Sequence, residues 1–164
     1  MDYSIKPCQK KHLHQVLELW NQVVEEGQSF PQIESLSAEE GARFFFEQND
    51  TVVAASDEKV LGFYILHPNN VGRCAHIANT SYAVQKEWRN KGVGRRLVKD
   101  SLERARTKGY RIMQFNAVVL QNKGAIKIYE ELGFHPLGVV PKGFFVKDYG
   151  YEDILLYYKE LEEV

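Results

Sequence analysis

Residues 86–97 read KEWRNKGVGRRL. Gly92 and Gly94 stand one residue apart among Arg89, Lys91, Arg95 and Arg96, and an apolar helical face (Val93, Leu97, Val98, Leu102, Ala105) begins at the same place. A helix start presents backbone N–H groups without partners and a partial positive charge. An anion docked there satisfies both. Glycines let its oxygens approach the backbone, and guanidinium and ammonium groups add charge-assisted hydrogen bonds. The stretch therefore suits a phosphate-bearing ligand at a strand–loop–helix corner. A tight turn with a solvated charged face would carry the same glycines. Two other phosphate loops fail on the residues. A dinucleotide fingerprint needs a third glycine at position 97, which is Leu, and a Walker loop needs Lys then Ser or Thr where Arg95 and Arg96 stand.

Upstream, residues 2–6 suggest a short strand closed by Pro7. From Lys10, Leu13, Val16, Leu17, Trp20, Val23 and Val24 recur at helical spacing up to Gly27. SFPQIESLS reads as a loop. Ser37 and Glu40 form a capping box for a second helix carrying Phe44, Phe45 and Phe46. TVVAAS (51–56) and VLGFYILH (60–67) read as a hairpin, PNNVGR as a loop, and AHIANTSYAV (75–84) as the strand that feeds the glycine stretch. Downstream come a helix stopped by Gly109, a strand at 110–119, a helix from Lys123 to Leu132 ended by Gly133, and strands at 134–140 and in DILLYYKEL, with 141–151 left as a loop. The order β-α-α-β-β-β-α-β-α-β-β predicts an α/β (α+β) fold, a mixed sheet with helices packed on it.

The chain has 164 residues, the length of one domain spanning 1–164. Its net charge of -1 supplies no global basic field for nucleic acid, so an anion site must be local. No apolar run is long enough to span a membrane, and MDYSIKPCQKK has no signal-peptide core. Cys8 and Cys74, far apart, read as free thiols of a reducing, cytoplasmic protein. Cys74 and His76 have no further ligands at sensible spacing, so no metal is expected.

Arg89-Asn90-Lys91-Gly92-Val93-Gly94, following a strand that ends Tyr82-Ala83-Val84, resembles the R/Q-x-x-G-x-G/A signature of the GCN5-related N-acetyltransferase (GNAT) superfamily. The segment from Asn122 through Tyr129 to Gly133-Phe134 is similar to that family's second cofactor segment. The resemblance implies a mostly antiparallel sheet with one splayed parallel pair, strands 75–84 and 110–119, about four helices, and acetyl-CoA as cosubstrate. It implies that the backbone from Asn90 to Arg95, including Lys91, Gly92, Val93 and Gly94, holds the pyrophosphate with Arg89 adding charge. The backbone of Tyr82, Ala83 and Val84 would pair with the pantetheine arm. Asn122 matches a cofactor-contacting asparagine, although a plain helix N-cap explains it too. Tyr129 matches the acid that protonates the leaving thiolate, although it also lies on an apolar helix face with Ala125, Ile128 and Leu132.

Asn79 and Asn116 interrupt strands, where asparagine is disfavoured. A bulge or an edge would explain them. The pattern HPNNVGRCAHIANTSYAV then FNAVVLQN resembles fungal acetyltransferases acting on azetidine-2-carboxylate and other proline analogues. That resemblance implies substrate binding by Asn79, stabilisation of the tetrahedral intermediate by Asn116, and an acceptor carboxylate held by amides or by Arg73. The expected reaction is direct attack of a small amine on the thioester, without an enzyme nucleophile. No general base is evident, because an amide stands where many relatives place Glu. The acceptor pocket is expected between the N-terminal helices and 141–151, walled by Phe30, Phe144, Phe145, Tyr149 and Tyr151. Acetylation of peptide N-termini and a non-catalytic acyl-CoA sensor are the alternatives. The resemblance also implies a homodimer through the last strands.

Overall fold

The computed structural model describes residues 2–57 and 59–161. Its elements are β1 (Ser4–Pro7), α1 (Leu13–Glu26), α2 (Ala38–Phe46), β2 (Asp50–Ser56), β3 (Lys59–Pro68), β4 (Ile77–Val84), α3 (Val93–Thr107), β5 (Ile112–Val119), α4 (Lys123–Glu131), β6 (His135–Val146) and β7 (Gly150–Glu160). Short 3-10 turns precede α1 and flank β4. The strands form one seven-stranded sheet in the order β1-β2-β3-β4-β5-β7-β6. Every neighbouring pair is antiparallel except β4 and β5.

Alternation along the strands divides the core in two. On one face, Val53, Phe63 and Ala83 pack against α1 and α2. Trp20 centres this layer, with Phe30, Phe44, Phe45 and Phe63 at ring-centroid distances of 4.7, 5.0, 5.8 and 6.5 Å. On the other, Tyr64, Ala78, Met113 and Phe115 pack against Val93, Leu97 and Val98 of α3 and Tyr129 of α4. The capping box forms as read: Ser37 Oγ accepts from the Glu40 N–H, and Glu40 Oε2 accepts from the Ser37 N–H. The SFPQIESLS loop is tied to α1 by Asn21, whose amide donates to the Leu36 carbonyl at 2.9 Å and accepts from the Leu36 N–H at 2.8 Å.

The reading of 141–151 as a loop is corrected. Residues 141–146 continue β6, and only 147–149 turn. Pro141, Lys142 and Gly143 interrupt propensity but sit in a register shift between Val140 and Phe144. There Lys142 takes a φ of 54° and its N–H donates to Asp153 Oδ1 at 2.9 Å. A bulge lets a strand carry residues that would otherwise end it. The β6–β7 turn then docks on the end of α1. A Cβ on Gly27 would lie 2.7 Å from Cβ of Lys147, and Gly27 also holds a φ of 62°. Its carbonyl accepts from the Lys147 N–H at 3.0 Å.

Candidate functional site

β4 and β5 pair only at Ile77–Ile112 and Ala78–Met113, then part. Asn116 and Ala117 lie in a register shift of β5 against β7, between Phe115–Tyr157 and Val118–Leu155. Such a bulge bends the strand away from its former neighbour. On the β4 side of the gap, Gln85 N–H donates to the Leu61 carbonyl at 2.9 Å, which fixes the antiparallel alternation with β3. Ala83 and Ser81 likewise face β3, so Thr80, Tyr82 and Val84 turn their backbone groups into the gap.

A groove of about 740 Å³ follows the gap along the α3 and α4 side. One end is the start of α3. Gly92 is the N-cap with a φ of 82°, a left-handed conformation natural to glycine, and no side chain caps the helix. The first intrahelical bond runs from Arg96 N–H to the Gly92 carbonyl, leaving the N–H groups of Val93, Gly94 and Arg95 for a ligand. Gly92, Gly94, Arg95 and Asn90 line the groove, and the buried Val93 side chain anchors the loop beneath them.

The cations around this loop are less convergent than their sequence spacing suggests. Arg89 Nε donates to the Val84 carbonyl at 3.2 Å, and its guanidinium lies 3.8 Å from Glu26. Its charge is thus turned toward the end of α1. Lys91 sits over the Trp88 ring at 5.0 Å, Arg96 over Tyr3 at 4.3 Å, and Arg95 lies 3.7 Å from Glu131. Arg89 and Arg95 nevertheless both line the groove, and Lys91 and Arg96 do not.

Tyr129 stands mid-groove on α4, 4.5 Å from the Phe115 ring and 6.4 Å from Tyr82. Its hydroxyl has no hydrogen-bond partner among the described residues. Burial, with a smaller contribution from Tyr82, holds the phenol well above its ordinary pKa, so it keeps its proton. Tyr82 is held by its hydroxyl, 2.7 Å from Ser101 Oγ, and offers the gap its backbone; Ala83 faces the α1 layer. Asn122 is the N-cap of α4, accepting from Ala125 N–H at 3.3 Å, and it lines the groove as well. Both readings of that residue fit one position.

The far end of the gap holds Asn79 and Asn116, brought together by a residue that sequence reading left in a loop. Asn69 Oδ1 accepts from Asn79 Nδ2 at 2.9 Å and from Asn116 Nδ2 at 2.6 Å. Gln114 Nε2 donates to Asn116 Oδ1 at 3.1 Å. An asparagine in a PNN turn is commonplace, so no local signal marks it. Arg73 is not brought to this cluster. It is exposed on the turn before β4 and lines neither cavity. His76 is also exposed, outside the gap.

A second cavity of about 470 Å³ lies on the α1 side, between Glu26, Gln28 and Ser29 and the β6–β7 turn at Tyr149. It shares Tyr82, Val84 and Asn122 with the first, so the two meet at the gap. The expected aromatic wall is mostly absent. Of its five rings only Phe30 and Tyr149 line either of these cavities; Phe144 is buried beside Ile154, and Phe145 meets Tyr151 edge-to-face in solvent. Alternation along β6 and β7, invisible while the segment read as a loop, sends those rings elsewhere.

Among the described residues no group of His, Cys, Asp and Glu could hold a metal. No helix there is long and apolar enough to cross a membrane. Cys8 is half-buried, Cys74 is exposed, and neither lines a cavity.

Known proteins share this fold. The chain is 30% identical to the N-acetyltransferase aca1 of Schizosaccharomyces pombe, over 96% of this chain and 84% of that one. The structure of a GCN5-related N-acetyltransferase from Kribbella flavida superposes with a TM-score of 0.89 at 30% identity, covering 97% of this chain and 98% of the other. A phosphinothricin acetyltransferase from Sinorhizobium meliloti, solved in complex with acetyl-CoA, superposes at 0.90 over 98% and 89% of the two chains, its 20% identity attesting the fold alone. The model of the acetyltransferase (GNAT) family matches residues 13–134, from α1 through the glycine stretch to the end of α4, and the chain belongs to that family of N-acetyltransferases.

Proposed function

We propose that this chain transfers the acetyl group of acetyl-CoA to the amine of a small amino acid or amino-acid analogue by direct attack. The observation carrying this reading is the β4–β5 gap, with the uncapped start of α3 at one end, Tyr129 between, and the Asn79–Asn116 pair at the other. The diphosphate lies on the N–H groups from Val93 to Arg95, with Asn90, Lys91, Gly92 and Gly94 shaping the loop. The pantetheine arm runs as an extra strand along the Tyr82–Val84 backbone, and Asn122 contacts it. Arg89, held on Val84 and facing Glu26, orders the loop rather than binding phosphate directly.

The unprotonated amine attacks the thioester carbon. The new C–N bond forms, the carbonyl electrons move to oxygen, and collapse of that intermediate breaks the C–S bond. Backbone N–H groups at the gap and the remaining N–H of Asn116 stabilise the oxyanion. The amine proton leaves to water, and the sulfur receives the Tyr129 O–H hydrogen bond. A reference thiol pKa of about 8.5 lies below that of a phenol, so Tyr129 stabilises the thiolate chiefly as a donor. The acceptor approaches from the second cavity, past Gln28, Ser29 and Tyr149. Its similarity to the fungal pattern around Asn79 and Asn116 favours a cyclic or small α-amino acid.

Edge strand β6 exposes Leu137, Val139 and Phe145 at 56%, 53% and 63%. An apolar edge of this kind pairs or aggregates unless covered. We assign it to a homodimer contact, checked by sedimentation at micromolar concentration; a monomer at all concentrations removes it.

The test of the activity is release of CoA thiol from acetyl-CoA against azetidine-2-carboxylate, proline analogues, common amino acids, phosphinothricin, a polyamine and a short peptide. Turnover of an amino acid supports the reading. Turnover of the peptide alone replaces it with N-terminal acetylation, and acetyl-CoA binding without turnover replaces it with a sensor.

A further inference from the structure

The acceptor end of the gap is built around three amides, and one of them holds the others. Asn69 sits just beyond β3, and its own N–H donates to the Ile77 carbonyl at 2.7 Å. Its backbone is thereby locked to the first residue of β4. From there its side-chain oxygen reaches both arms of the splay, taking Asn79 Nδ2 at 2.9 Å and Asn116 Nδ2 at 2.6 Å. These contacts fall just past Ala78–Met113, where strand pairing ends. A side chain here does what a ladder hydrogen bond would do one step further along, while leaving the gap open.

Accepting twice has a chemical consequence. An amide offers a carbonyl oxygen at one end and two N–H groups at the other. With Nδ2 committed to Asn69, Asn79 must turn Oδ1 away from it. No described residue donates to that oxygen. Asn116 is held at both ends, by Asn69 and by Gln114 Nε2 at 3.1 Å, which leaves one N–H free.

We infer that Asn69 is a positioning residue that clamps the splayed strands and sets amide polarity, turning Asn79 Oδ1 toward the acceptor amine and the free Asn116 N–H toward the reacting carbonyl. The inference rests on the gap being the acetyl-transfer site. An amine N–H that donates to Asn79 Oδ1 is held with its lone pair free for attack. Asn69 itself need not touch substrate, so its removal acts through orientation.

The test compares Asn69→Ala, Asn69→Asp, Asn79→Ala and Asn116→Ala. Turnover is read with azetidine-2-carboxylate, proline, phosphinothricin and a short peptide, and acetyl-CoA binding is measured in parallel. Asparagine-to-alanine at 69 is expected to lower kcat/KM for the acceptor by about 10- to 100-fold, the cost of a misplaced reacting group. Acetyl-CoA binding should stay within about twofold, which also shows that the variant folds. Aspartate provides two acceptor oxygens and no donor, so Asn69→Asp should recover turnover to within about threefold of wild type. If Asn69→Asp falls as far as Asn69→Ala, the polarity is reversed and the inference is overturned. It is overturned equally if Asn69→Ala is silent while Asn79→Ala and Asn116→Ala lose activity; that outcome spares the acetyl-transfer site. Silence of all three alanine variants, or no turnover of any of the four acceptors by the wild-type chain, overturns the site and the clamp together.

Discussion

Tyr129 shows how a residue's place decides its chemistry. Its ring belongs to the core, against Phe115 and Phe134, while its hydroxyl opens on the groove. Phenylalanine keeps that packing and removes only the O–H, so Tyr129→Phe should lower kcat by about 10²-fold with little change in KM for acetyl-CoA. Steady-state kinetics decide this, and an unchanged kcat sinks the donor role. Because burial raises its pKa, Tyr129 does not ionise on the alkaline side of neutrality. For a peptide acceptor, whose α-amine has a pKa of about 7.7–8.0, kcat/KM should therefore rise through that value and hold a plateau above it; the amine of a free or cyclic amino acid is more basic, and its rise should come at higher pH. A fall beginning near pH 9 would contradict this. Cys8 follows the same physics, pushed by burial from 9.0 to about 11. Iodoacetamide at pH 8 should label the exposed Cys74 and leave Cys8 at least about tenfold slower, as mass spectrometry of the digest will show.

At the scale of elements, the start of α3 separates folding from function. A Cβ on Gly94 would meet Ile128 Cδ1 at 3.5 Å and Val84 Cγ2 at 3.7 Å, which are ordinary contacts. Alanine also favours helix over glycine by up to about 1 kcal/mol. Gly94→Ala should therefore melt no lower than wild type. It should also bind acetyl-CoA within about threefold of wild type, since the signature admits alanine at this place. Gly94→Val adds further methyl groups to the groove wall between Val84 and Ile128, and should bind at least about tenfold more weakly. Calorimetric titration beside a thermal melt reads both; undiminished affinity in Gly94→Val would remove the diphosphate from this loop. α1 offers a purely structural contrast. Asn21→Ala breaks both bonds to Leu36 and should cost about 1–3 kcal/mol in denaturant unfolding.

For the whole molecule, the buried phenols and thiol set an alkaline limit. Burial raises Tyr64, Tyr82 and Tyr129, burial and the Glu130 hydrogen bond raise Tyr157 from 10.0 to about 12, and burial raises Cys8. The folded chain then keeps protons that the unfolded chain has lost. Their contribution is full below about pH 9 and declines as pH climbs from the unfolded values through the folded ones. The melting temperature should fall steadily from pH 9 to 11, and a Tm constant across that window would contradict the assignment. The same packing explains why the two cavities meet: α1 and α2 cover one face of the sheet, α3 and α4 the other, and Tyr82, Val84 and Val119 of the splay line both cavities, with Ser29, Arg89 and Asn122 beside them.

Much of this was legible in the chain itself. Periodicity and punctuation fix each element locally: Ser37 and Glu40 cap α2, Gly27 ends α1, and Gly92 starts α3. The glycine stretch and the segment from Asn122 to Tyr129 were legible through their resemblance to the family's two cofactor segments, and both line one groove, each lying within one helix or its cap, where sequence distance is spatial distance. What the sequence could not decide depends on contacts between remote segments. The continuation of β6 through Pro141–Gly143 needs β7 as its partner. Arg89 is held where it is because Val84 and Glu26 are there to receive it. Asn69 meets Asn116 across 47 residues. Side-chain direction at a bulge or loop is set by what packs beside it. Residue order alone determined that there is a groove, and tertiary structure decided which amides face into it.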